Sequence, residues 1–302
     1  MRLLRYLLVV TLAFTAAACS VEHSSPSSPS PTIQFANWPP TMTDFRFRWS
    51  AEPGIDLVNG PAVIVRAYLE SHQLAELTSN MDATYPGFLR VTPQNWPING
   101  GPGPNQILRV RPWLDEDRRI AFGTKLYEQK LYFGNEYFHV LQLVPHNDGY
   151  QATVCDGVYD VFIVGDAGKY APYIQSQYLR PPTDPGLYER DAISVRRIEL
   201  TQHDPRVAPN PPAPVTAPQR GPNPAPVEDV FGNWFITGAA RGGNWTSSDG
   251  KFENDPNLPQ QDALCRQRMP DNEQQRAALL NGDRDNPPVA QPAVPGWPAA
   301  TR

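Results

Sequence analysis

Two runs rich in aromatic and aliphatic residues, 137–144 (YFHVLQLV) and 150–155 (YQATVC), flank the tetrapeptide His146-Asn147-Asp148-Gly149. That pattern predicts two long strands joined by a tight hairpin, with the Asp-Gly step supplying the positive φ such a turn needs. Residues 158–164 continue the second arm past Gly157, where a bulge is expected. Further strands are predicted at 193–200 and 233–238, a short one at 106–110, and either strand or helix at 125–133. Phe45, Phe47 and Trp49 alternate with Arg46 and Arg48, the pattern of a short strand or an extended arm lying on the domain.

One stretch changes period. At 100° per residue, Val63, Ile64, Ala67, Tyr68, Leu74 and Ala75 fall on one side of 62–78, and Arg66, Glu70, Gln73 and Glu76 on the other. Pro61 suits the first helical position, with Asn59 or Gly60 as the cap. An amphipathic helix with a solvated outer face is therefore expected. Shorter helical pieces are predicted at 261–268, which carries Cys265, and at 273–281, ended by Gly282. Together these elements predict an α+β fold: an antiparallel sheet covered by one main amphipathic helix, with proline-rich extensions.

Composition changes this picture at the edges. Of 302 residues, 35 are proline and 21 glycine, and the prolines are clustered. Nine of them fall within 205–226, too many to pair inside a sheet, so this segment is read as an extended excursion over the surface. Residues 282–302 form a proline-rich tail expected to be loosely ordered. A single α+β domain is thus expected over 34–281, with its core at about 60–240.

The first residues have a different logic. Arg2 and Arg5 precede an apolar run at 7–14 and three alanines, Ala16, Ala17 and Ala18. This is the pattern of a secretory signal over 1–18, too short to serve as a membrane-spanning helix. Cys19 directly after the alanines resembles the lipobox of bacterial lipoproteins, in which this thiol is acylated; the alternative is simple cleavage leaving a spare cysteine. Residues 19–33, with the serine and proline run SVEHSSPSSPSPT, read as a tether. The resulting expectation is an exported chain, held at the outer face of the cell membrane or envelope by a lipid anchor. Cys155 and Cys265 are then the remaining pair in an oxidising space, expected to form a disulfide, with two unpaired buried thiols as the alternative.

A formal charge of −5 with interspersed signs offers no basic stripe, which argues against a nucleic-acid partner. The glycine-proline loop at 96–104 lacks the Lys-Ser/Thr of a phosphate loop. Neither a Gly-x-Ser-x-Gly elbow nor a His-Glu-x-x-His helix occurs in the sequence, and the scattered histidines argue for no metal and no cofactor. His72 sits at the edge of the helix's apolar face, a place for a satisfied edge residue or a buried catalytic one.

The element order, one amphipathic helix, a proline-broken stretch, a long hairpin and strands ending near NWFITGA, resembles the nuclear transport factor 2-like fold over about 60–240. It is similar in particular to exported actinobacterial lipoproteins whose sheet carries a string near VCDGVYDV. The resemblance implies a curved antiparallel sheet closed by helices into a cone. The signal, Cys19, the spacer and the want of a catalytic set lead to the expectation that a small apolar ligand or an envelope protein binds through that cone or the aromatic arm. In enzymes of that fold an Asp-His pair in the cone performs proton abstraction, which here singles out His139 with Asp156 or Asp160. The alternative places the two aspartates as turn acceptors around Gly157 and His139 on a solvated face. A non-enzymatic binding module is the leading expectation, and a cyclase- or isomerase-like enzyme the second.

Overall fold

The computed structural model describes residues 35–93, 105–114, 129–165, 168–177, 183–184, 186–207, 210–213, 215–246, 251–253 and 255–299. The signal, Cys19, the tether and the loop at 96–104 lie outside the described residues.

A six-stranded open sheet organises the α+β fold. Its strands are β1 (Asp44–Ala51), β2 (Tyr132–His146), β3 (Gly149–Val164), β4 (Tyr170–Pro172), β5 (Ile193–Thr201) and β6 (Phe235–Arg241). The order is β1-β2-β3-β5-β6, with β4 pairing the far end of β3. All pairs are antiparallel except β1 with β2, which are parallel. The sheet is therefore mixed, not purely antiparallel as expected. The segment 52–131 between the two strands carries the main helix, a crossover long enough to return the chain to the same end of the sheet.

The hairpin is longer than its sequence pattern predicted. Asn147, at φ 49°, supplies the left-handed residue of the turn, a conformation asparagine tolerates better than most side chains. Gly149 is needed for another reason: a Cβ there would lie 1.9 Å from the Leu200 carbonyl oxygen of β5. The expected irregularity next to Gly157 is present, because the register shifts between Asn135 and Tyr137 opposite residues 158–159. There is no turn at that point, and β3 runs on unbroken to Val164.

Helix α1 (Pro61–Thr78) begins where predicted, with Gly60 at its N-cap. Its outer face is not solvated: Arg66, Glu70 and Gln73 are all buried. The chain covers them with its own proline-rich segments. Arg66 donates to the carbonyls of Leu57 (2.8 Å), Gln219 (3.1 Å) and Pro295 (2.6 Å), so both the excursion and the tail pack onto α1. The tail is correspondingly ordered, with Trp297 1 % exposed. Residues 106–110, predicted as strand, instead contain a helical turn, α3 (Asn105–Leu108), after another turn, α2 (Phe88–Val91). Gln106 is held there by two-way hydrogen bonds with Thr246.

After α4 (Gly186–Asp191), two helices, α5 (Leu258–Arg268) and α6 (Glu273–Leu280), pack on the other face of the sheet. An Asn272–Gln275 capping box starts α6. The Sγ atoms of Cys155 in β3 and Cys265 in α5 are 2.05 Å apart and both residues are buried. Nearby, a Cβ on Gly157 would meet Met269 Sδ at 2.7 Å; glycine lets the end of α5 sit directly on the ribbon.

Candidate functional site

Helical spacing stacks Tyr68, His72 and Glu76 on the face of α1 that looks onto β5 and β6. Between them and Arg196 and Ile198 of β5, Ala239 of β6 and the segment 109–113 lies a cavity of about 270 Å³. Its walls are built from local hydrogen bonds. The Tyr68 hydroxyl donates to the Val110 carbonyl at 2.8 Å, and His72 Nε2 lies 3.2 Å from the Arg109 carbonyl. A carbonyl only accepts, so Nε2 carries the proton and Nδ1, 3.8 Å from Glu76, is the bare nitrogen. Burial pulls the His72 pKa down to about 4, against the raising effect of Glu76. The imidazole is therefore neutral near pH 7.

Behind the cavity wall sits an acidic pair. Asp156 is fully buried and accepts two bonds from Arg196, from Nε at 2.8 Å and from the guanidinium terminus at 2.7 Å. Its Oδ1 faces Glu136 of β2, and neither Glu136 oxygen has another hydrogen-bond donor. Burial, then the neighbouring Asp156 carboxylate, holds the Glu136 pKa well above the usual carboxylate value. The raised pKa favours the neutral form of Glu136 beside Asp156. Chemically, the cavity offers a neutral imidazole, a fixed guanidinium and a flank of apolar side chains.

The candidate acid–base pair of His139 with an aspartate does not assemble. In the hairpin register His139 lies opposite Cys155, whereas Asp156 lies opposite Phe138. The two therefore project from opposite faces of the sheet, as the two-residue period of a strand requires. Asp160 accepts from the Tyr137 hydroxyl at 3.2 Å, and burial raises its pKa to about 6. His139 meets other partners: its Nδ1 is 2.8 Å from Ser50 Oγ and its Nε2 3.4 Å from Glu52 Oε1. It is buried on the α5 side of the sheet and not solvated.

Four cavity groups, Glu136, Arg196, His72 and Glu76, did not stand out as a set in the sequence. The available signal was position. Glu136 shares a strand face with Phe138 and Val140, and Arg196 with Ile198 and Leu200, so each is a charge on an otherwise apolar face. Among the described residues, no group of three or more His, Cys, Asp or Glu side chains is placed to hold a metal ion.

Compared with family models, curated proteins and solved structures, the chain matches none of them.

Proposed function

We propose that this chain is an exported envelope protein, acylated at Cys19, whose α+β domain binds a small, largely apolar molecule with one anionic end in the cavity beneath α1. The observation that carries the reading is the cavity itself. Leu69, Ile198 and Ala239 give it an apolar flank, and Arg196 lines it together with Arg109, Arg111, Arg197 and Arg241. At about 270 Å³ it lies near the lower end of ligand-binding cavities, roughly 300 Å³. In this reading the sheet curves around α1 as in the nuclear transport factor 2-like cone, and the tether at 19–33 holds the domain clear of the membrane. The Cys155–Cys265 pair, buried in the ribbon, suits an oxidising compartment.

Two measurements test the proposal. Anilinonaphthalene sulfonate, an apolar ring system with one anionic group, is expected to bind with a stoichiometry of one and to be excluded when the cavity is filled by Ala239→Trp. Equal binding by the filled variant would remove the cavity from the account. Labelled palmitate is expected to enter the wild-type chain but not Cys19→Ala; no incorporation in either removes the anchor.

A further inference from the structure

On the sheet face away from the α1 cavity, three side chains line up around one imidazole. Ser50 is the penultimate residue of β1 and is exposed. Its Oγ is 2.8 Å from Nδ1 of His139, which is buried beside it on β2. The other ring nitrogen, Nε2, faces Glu52 Oε1 at 3.4 Å. Glu52 is itself gripped by the Arg268 guanidinium at the end of α5. Parallel pairing of β1 with β2 sets Ser50 directly against His139, and the two-residue period of the strand returns Glu52 to the same side.

The roles follow from donor and acceptor capacity. Glu52 as a carboxylate only accepts, so Nε2 carries the imidazole proton and Nδ1 presents its lone pair to the Ser50 hydroxyl. That is a nucleophile, a base aimed at it within hydrogen-bond reach and, at the longer distance of 3.4 Å, a carboxylate orienting the base. Ser50 and His139 open on a cleft of about 360 Å³, which Arg48, Arg268, Met269 and Val294 also line. Arg48 and Arg268 carry several N–H donors each, enough to accept charge on a carbonyl oxygen besides their existing contacts.

We infer that Ser50 is the nucleophile of a hydrolytic site for carboxylic esters, with His139 as its general base and Glu52 as a positioning residue. Ser50 Oγ attacks the ester carbonyl carbon while its proton passes to His139 Nδ1. The C–O bond to the alcohol breaks, and His139 returns the proton to the leaving alkoxide. Water then attacks the acyl-Ser50 ester by the same route, giving a carboxylic acid and free Ser50. One ester and one water are consumed, and no oxidant or other co-reactant is needed. The site is independent of ligand binding beneath α1, so either proposal can fail alone.

The test uses the full-length chain, a fluorophosphonate probe and p-nitrophenyl acetate. The folded wild type is expected to take one phosphonate, located on Ser50 by peptide mass spectrometry, and to hydrolyse the ester at a rate that Ser50→Ala removes. His139→Gln, checked for folding by near-ultraviolet circular dichroism, is expected to slow both readouts by about a hundredfold or more. Glu52→Gln is expected to lower the rate about tenfold and to move the midpoint of its pH profile, which loss of a merely structural contact would leave in place. If the folded wild type takes no label on Ser50, or labels there no faster than the denatured chain, the inference is overturned whatever the variants do. Equal labelling of a folded His139→Gln variant also overturns it.

Discussion

Trp297 donates its indole N–H to Glu70 Oε2 at 2.7 Å, joining residues 227 positions apart. The same carboxylate accepts from the Tyr85 hydroxyl at 2.6 Å and from Trp49 Nε1 at 2.7 Å, and the Arg66 guanidinium lies over the Trp297 ring at 4.2 Å. A buried acid is tolerated only with such a set of donors. Trp297→Phe, which keeps most of the packing and removes one donor, is expected to cost about 1.5–3 kcal/mol. Trp297→Ala is expected to cost about 3–5 kcal/mol. Urea denaturation of the three proteins separates the two contributions.

Glu136 is expected to make the protein less stable in base. Its pKa is raised in the fold, so its contribution is fully present below the ordinary value of 4.5 and is lost as pH rises through the raised value. Glu136→Gln keeps the shape of the side chain and cannot ionise. The variant should match the wild type near pH 4 and exceed it by a margin that grows with pH. Denaturation midpoints across that range check this, and a variant with an unchanged pH slope would contradict a protonated Glu136.

His72 acts in the opposite direction. A depressed pKa leaves its contribution intact above the unfolded value of 6.5 and removes it as pH falls through about 4. At about 1.4 kcal/mol per pH unit, the loss between pH 7 and pH 4 approaches about 3 kcal/mol. His72→Gln should flatten this acid limb by that amount in the same denaturation series.

The Cys155–Cys265 link spans 110 residues, a loop whose closure stabilises a fold by about 4 to 5 kcal/mol in the chain-entropy description. Cys155→Ser with Cys265→Ser is expected to lose most of that stability. Iodoacetamide should label neither residue of the unreduced chain after unfolding, and both after reduction.

What could be read from the chain was local. The hairpin follows from its apolar runs and turn, and α1 from its 3.6-residue period and Pro61; α5 and α6 stand where short helical pieces are expected, α6 stopping just before Gly282. What could not be read was the outcome of distant pairings. Arg66 and Glu70 carry the signature of a solvated face because their partners, Gln219, Pro295 and Trp297, sit in segments whose prolines suggested loose chain. The parallel pairing of β1 was hidden because only the crossover, not the strand's composition, decides its direction. His139 was recognisable as a polar residue in a strand, but its partners Ser50 and Glu52 lie 89 and 87 positions away on β1 and just beyond it. The same two-residue alternation that predicts strand 137–144 also keeps His139 and Asp156 apart.

The clamp of Trp297 on α1 has a consequence for biosynthesis. A ribosome that has made residues 1 to 280 has produced every strand and helix of the described fold, yet the Glu70 carboxylate still lacks its final donor and Arg66 its aromatic lid. The domain is therefore completed after translation has passed position 297, and a nonsense codon within the preceding tail would yield a product with all its regular structure and an unsealed centre, open to proteolysis.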